Sequence, residues 1–91
     1  MGTSPLPFTI ERNPHPVDPA ERARLLANPV FGRVFSDHMV MIRYNETLGW
    51  HGAKVMPRGP LSIDPATAVL HYAQEIFEGL KAYRMADGSM A

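Results

Sequence analysis

Asp64-Pro65-Ala66-Thr67-Ala68-Val69-Leu70-His71-Tyr72-Ala73-Gln74-Glu75-Ile76-Phe77-Glu78-Gly79-Leu80-Lys81-Ala82-Tyr83-Arg84 is the stretch whose reading sets the fold. Asp64-Pro65 is a helix start signal: a side-chain acceptor for free N–H groups, then a residue suited to the first helical position. Val69, Leu70, Ala73, Ile76, Phe77 and Leu80 follow at spacings of three, four and seven, one apolar stripe of a helix. Gly79 is the natural terminator, since it adopts the left-handed conformation without a Cβ clash. Residues 80–85 then read as a strand, and Asp87-Gly88 as a turn. Such a turn needs a returning strand, and only Ser89-Met90-Ala91 follow, so one strand partner is expected to be missing.

Towards the N-terminus, Val34, Phe35, Val40, Ile42 and Tyr44 make a β-favouring stretch, read as a strand over 38–44. Asn45-Glu46-Thr47-Leu48-Gly49 has turn residues at both ends and connects it to a second strand over 50–56. Pro57, Gly59 and Pro60 close that strand. Before the hairpin, Asp18-Pro19 with Glu21 three residues after the cap starts a short helix, which the pair Asn28-Pro29 ends near Ala27. Pro5, Pro7, Pro14 and Pro16 make the first sixteen residues an extended arm that rests on another surface. The fold class is α+β: residues 1–30 an arm with a short helix, residues 31–91 a partial domain with a hairpin, one main helix and a further strand.

Nine basic and nine acidic side chains cancel, so nothing suggests a nucleic-acid or membrane partner. The absence of cysteine removes disulfides and thiolate metal sites, and six methionines suit a reducing compartment, the cytoplasm. His15, His38, His51 and His71 are scattered over an arm, two strands and a helix without ligand spacing, so no metal is expected. His38 and His71 read better as hydrogen-bonded neighbours of a core. Lys81, alternating with Leu80 and Ala82, points to solvent or an acidic neighbour in preference to imine chemistry. Glu78, unfavourable near a helix C-terminus, calls for a cationic partner. Tyr72 and Phe77 are materials for an apolar pocket, but five residues apart on an ideal helix they diverge, which makes Phe77 a core residue unless the helix breaks near it. The glycines form neither a dinucleotide fingerprint nor a P-loop.

Asn28-Pro29-Val30-Phe31-Gly32, Phe35-Ser36-Asp37-His38-Met39-Val40, Gly49-Trp50 and above all residues 70–84 resemble the N-terminal region of branched-chain amino acid aminotransferases. The resemblance extends to Ile10-Glu11-Arg12 and His15-Pro16 in the arm, in the same order and with similar spacing. Fold-type IV relatives acting on other substrates share Phe77-Glu78-Gly79 but not usually the arm with Asp37-His38-Met39.

The resemblance implies a pyridoxal 5'-phosphate enzyme of branched-chain amino acid biosynthesis. It would move an amino group between leucine, isoleucine or valine and 2-oxoglutarate, as a homodimer. It assigns Phe31, Tyr72 and Phe77 to the apolar side of the substrate site, Tyr72 reaching across the dimer, and makes Gly79 the helix break that Phe77 needs. It also implies that the aldimine lysine, the phosphate-holding groups and the glutamate near the pyridine nitrogen fall outside these 91 residues. Neither Lys54 nor Lys81 matches the aldimine lysine. The polypeptide is therefore expected to have no catalytic residue of its own, to bind no cofactor tightly and to be inactive alone. The alternative is a short non-catalytic protein that pairs with a full-length aminotransferase.

Overall fold

Val40, Ile42 and Tyr44 are the β-branched and aromatic residues that suit a pleated surface, and they build the strand on which the first part of the molecule is organised. The computed structural model describes residues 5–91. Strand β1 covers Thr9–Ile10, helix α1 Pro19–Ala27, β2 His38–Asn45, β3 Gly49–Pro57 and helix α2 Ala68–Tyr72. The chain forms two units, Met1–Pro60 and Leu61–Ala91. The α+β class holds, with a three-stranded mixed sheet in the first unit.

The hairpin follows the sequence reading closely. β2 and β3 are antiparallel, with Val40 opposite Val55 and Tyr44 opposite Trp50. In the connecting turn the Leu48 N–H donates to Asn45 Oδ1 (2.6 Å), and Gly49 takes a positive φ of 66°. The register slips between Met41 and Arg43, where Gly52 and Ala53 together oppose Ile42. Gly52 has a φ of 60°, the left-handed conformation of a bulge glycine.

The arm does lie on another surface, and it does so as a strand, which the proline-rich composition concealed. β1 runs parallel to β3, Thr9 beside Lys54 and Ile10 beside Val55, and the Glu11 N–H continues to the Val55 carbonyl at 2.7 Å. The sheet order is therefore β1-β3-β2, with the second hairpin strand in the centre. Glu11 and Lys54 add an ion pair across this edge at 3.6 Å.

Helix α1 begins and ends where Asp18-Pro19 and Asn28-Pro29 predict. The Asp18 carboxylate accepts from the Ala20 N–H at 3.1 Å, with proline at the first helical position. Glu21 does not reach back to complete a capping box. Its carboxylate pairs forward with Arg24, one turn along, and that hydrogen bond holds the Glu21 carboxyl below its ordinary range and raises the Arg24 guanidinium.

The main helix is much shorter than its pattern suggests. Asp64-Pro65 forms a turn: Asp64 Oδ1 accepts from Ala66 N–H, and the Asp64 carbonyl accepts from both the Thr67 N–H and its hydroxyl. The helix starts only after Thr67 and stops at Tyr72, because Ala73 turns left-handed with a φ of 47°. Residues 73–83 are irregular, so the expected single helix to Gly79 and the strand over 80–85 are both absent. Gly79 is not left-handed and terminates nothing. The physical reason lies in the stripe itself. Ile76, Phe77 and Leu80 stay more than four-fifths exposed, and a helix this short draws its stability from packing, which these side chains do not receive.

The Asp87-Gly88 turn forms as expected and, contrary to expectation, finds its return. Tyr83 and Ala91 exchange both backbone hydrogen bonds (2.8 and 2.9 Å), Met85 N–H donates to the Ser89 carbonyl, and Arg84 bridges to Met90. Three residues suffice for a rudimentary hairpin. Asp87 Oδ1 accepts from both the hydroxyl and the N–H of Ser89, which lowers the Asp87 carboxyl from its ordinary value.

Interior is scarce. Among the described residues Ala53 is the one hydrophobic side chain that is fully buried. The β-branched and aromatic row of the hairpin, Val40, Ile42, Tyr44 and Trp50, faces outward, while Met39 and Met41 on the alternate positions are half-buried.

Candidate functional site

Phe31 is placed by a tight turn. The Arg33 N–H donates to the Val30 carbonyl at 3.0 Å, and Gly32 has a φ of 77°, so Phe31 and Gly32 are the central residues of a type II turn. The turn carries the phenyl ring at its corner, 90% exposed. In the second unit Tyr72 is the last residue of α2 and Phe77 lies in the irregular segment beyond it, each 83% exposed. The left-handed Ala73 separates them, and Glu75 N–H closes back on the Ala73 carbonyl at 2.8 Å. Their divergence on an ideal helix thus does not apply. The break comes at Ala73, six residues before Gly79.

The residues around Asp37 and His38 form a site that the sequence reading did not single out. The Asp37 carbonyl accepts from the Asn13 side-chain amide and from the Arg58 N–H, both at 3.0 Å. The Asp37 carboxylate accepts from the Val17 N–H at 3.2 Å, and His38 Nε2 accepts from the Asn13 N–H at 2.9 Å. Arg58 in turn lies over the Phe35 ring, 4.4 Å from its centroid, as a cation–π pair. Between this cluster and α1 opens a groove of about 410 Å³, lined by Val17, Arg22, Leu25, Leu26, Val34 and Phe35 together with Ser36, Asp37 and His38. In the sequence it shows as the apolar pairs Leu25-Leu26 and Val34-Phe35 and as the Ser36-Asp37-His38 part of the motif quoted above.

His71 is hydrogen-bonded, its Nε2 donating to the Pro65 carbonyl at 2.6 Å, but it is exposed, whereas His38 is half-buried as expected. Glu78 is exposed and makes no ion pair among the described residues, so the partner expected for it at a helix end is not found. The described residues contain no cluster of acidic, histidine or cysteine side chains able to hold a metal ion. No described helix is long and apolar enough to cross a membrane.

Three relatives define what the chain is similar to. A probable branched-chain-amino-acid aminotransferase of Streptomyces coelicolor is 64% identical over 85 residues, 91% of this chain and 24% of the relative. A branched-chain-amino-acid aminotransferase of Mycolicibacterium smegmatis is 56% identical over 90 residues, 99% of this chain and 24% of the relative. The mitochondrial branched-chain-amino-acid aminotransferase of Saccharomyces cerevisiae is 48% identical over 75 residues, 82% of this chain and 18% of the relative. No family model matches the chain. The chain is similar over nearly its whole length to branched-chain-amino-acid aminotransferases, and it spans about a quarter of the length of the curated relatives it matches, consistent with an N-terminal segment. These matches do not favour a separate short interaction protein.

An aminotransferase of this kind implies pyridoxal phosphate, which requires a lysine amine for its imine and a cradle of N–H groups or basic side chains for its phosphate. The residues present do not fit that group. Lys54 is engaged with Glu11 on the sheet, Lys81 is exposed on irregular backbone, and the start of α1 is already capped by Asp18 and occupied by Pro19. Neither lysine stands beside a phosphate cradle.

Proposed function

We propose that these 91 residues are the N-terminal part of a fold-type IV, pyridoxal phosphate-dependent branched-chain amino acid aminotransferase. That enzyme exchanges an amino group between leucine, isoleucine or valine and 2-oxoglutarate, as a homodimer in the cytoplasm, without nucleic-acid or membrane partners. Residues 1–30 are its arm with a short helix, and residues 31–91 part of its smaller domain. The observation that carries the reading is the 64% identity over 91% of the chain. Phe31, Tyr72 and Phe77 contribute to the apolar side of the substrate site. Their high exposure supports the reading: large aromatics left open by their own units are available to line a pocket completed by other parts of the protein. The polypeptide alone has no catalytic residue and does not turn over.

The test is a chimera in which residues 1–91 replace the corresponding segment of the Streptomyces coelicolor relative. Transamination of leucine with 2-oxoglutarate by the chimera is the expected result. Phe31→Ala, Tyr72→Ala and Phe77→Ala should each raise the KM for leucine by roughly tenfold or more, as the loss of about 1.5–3 kcal/mol per buried side chain requires. A chimera that keeps its cofactor absorbance but ignores branched-chain substrates would reject the substrate class. Turnover by the purified 91 residues would reject their inactivity.

A further inference from the structure

The described ring contacts of the histidines fall into two chemical kinds. His51 Nδ1 lies 2.9 Å from the Gly49 carbonyl and His71 Nε2 lies 2.6 Å from the Pro65 carbonyl. A carbonyl can only accept, so both rings donate, and adding a proton leaves those contacts intact. His38 is the opposite case. Its Nε2 faces the backbone N–H of Asn13 at 2.9 Å, and an amide N–H can only donate. The contact therefore requires Nε2 as an acceptor, which only the neutral ring with its proton on Nδ1 offers. Protonation would set a donor against a donor.

What His38 holds is the arm. Between β1 and α1 the described hydrogen bonds from the arm to the β2 end are three: Asn13 N–H to His38, the Asn13 side-chain amide to the Asp37 carbonyl, and Val17 N–H to the Asp37 carboxylate. The first also orients the second, because both leave the same residue. Asn13 is further shaped by its own turn, its Oδ1 accepting from the His15 N–H at 2.8 Å. Beyond this point the arm's described hold on the sheet is the two-residue strand β1, the Glu11 N–H to Val55 carbonyl hydrogen bond that continues it, and the Glu11–Lys54 pair.

We propose that His38 is a proton-operated latch: neutral, it fastens residues 13–17 of the arm to the start of β2, and charged, it releases them. The groups that surround it are Asp37 beside it, Arg22 of α1 on the same groove, and Arg58 directly after Pro57, its cross-strand partner. Lys54 and Glu11 lie further along β3 and the β1 edge. Release frees Val17, a wall of the groove beneath α1, so the state of the ring also sets whether that groove is closed on its arm side. The latch holds while the ring is neutral and accepts from the Asn13 N–H, and opens when Nε2 takes up a proton and can no longer accept.

Amide exchange by NMR on the full 91-residue chain tests this, corrected for the intrinsic pH dependence of exchange. Protection of the Asn13 amide should fall roughly tenfold or more between about pH 8 and about pH 5, while β2 and β3 amides around Val40 and Val55 keep theirs. His38→Gln offers an amide oxygen near the place of Nε2 and should keep Asn13 protected at both pH values. His38→Phe should leave it unprotected at both. Unchanged protection in the native chain, or the same loss in His38→Gln, would overturn the latch. So would hairpin amides that exchange together with Asn13, or that are unprotected throughout, since the arm would then have no folded site to be released from.

Discussion

Tyr44 and Trp50 face each other across the hairpin with ring centroids 5.0 Å apart and planes tilted by 58°, yet they remain 60% and 65% exposed. The pair is a packing contact made in solvent. Tilted aromatic pairs contribute about 0.5–1.5 kcal/mol beyond the area they bury. In a double-mutant cycle with Tyr44→Ala and Trp50→Ala, a coupling energy in that range is expected. Urea unfolding followed by circular dichroism reads it in all four proteins, since the variants that lack the single tryptophan lose its fluorescence.

The bulge glycine should be intolerant for a reason of backbone alone. A Cβ built on Gly52 would meet only the Arg43 side chain, at an ordinary 3.8 Å, but its φ of 60° is left-handed. Gly52→Ala should therefore cost about 1–2 kcal/mol. Gly59 has open space and no positive φ, so Gly59→Ala should be neutral or stabilise by up to about 1 kcal/mol. Equal effects at the two sites in thermal unfolding would contradict this account.

At the start of α1, Asp18→Ala removes the acceptor that holds the Ala20 N–H and should cost about 1 kcal/mol, seen as lost helical signal in circular dichroism. Asp18→Asn keeps a capping oxygen and should cost much less.

Two carboxyls give a pH signature. Arg24 lowers Glu21, and the Ser89 hydroxyl and amide lower Asp87. Because both are lower in the folded state than in the unfolded chain, their stabilisation is present above the ordinary carboxylate range and is lost as pH falls through the lowered values. Glu21 is half-exposed and Asp87 exposed, so solvent screening keeps the effect small. Carboxyl carbon NMR titration should return Glu21 to its ordinary value in Arg24→Gln, and move Asp87 upward in Ser89→Ala.

The arm clamp predicts a graded loss. Asp37→Ala removes the acceptor for Val17 but leaves the Asp37 carbonyl, which serves Asn13 and Arg58, untouched. The expected cost is about 1–2 kcal/mol, with proteolysis between Asn13 and Val17 becoming faster while the hairpin resists.

What could be read in the sequence was what neighbouring residues decide among themselves. Asp18-Pro19 and Asn28-Pro29 bound α1 at the residues observed, and Asn45 with Gly49 places the hairpin turn, because caps and turns are satisfied within a few residues. The stretch over 64–84 failed by the same logic. Its periodic stripe states what would be buried on a helix, but the helix needs a surface to receive Ile76, Phe77 and Leu80, and that surface is not written in the stripe. The parallel seat of Thr9–Ile10 on β3 and the Asn13 to His38 contact, 25 positions apart, join residues whose proximity no local pattern encodes. Of the candidate site, the sequence offers Phe31, Tyr72 and Phe77 as aromatics for a pocket, but not the contacts of Asn13 and Val17 with His38 and Asp37. The helix break that separates Tyr72 from Phe77 was foreseen in kind but placed at Gly79, whereas Ala73 supplies it.

The order β1-β3-β2 has a consequence in time. Synthesis delivers the arm first, but the strand it lies on is the last of the three to appear. β2 and β3 can close through a three-residue connection, whereas β1 must wait for that hairpin to offer an edge, and closing the longer loop costs more chain entropy. On a nascent chain Thr9 and Ile10 therefore spend the whole interval without their partner, and upon unfolding they are the first to go. A ribosome-bound chain stopped just before Gly49 would show a solvent-exposed arm, and one extended past Pro57 and clear of the exit tunnel would show it docked.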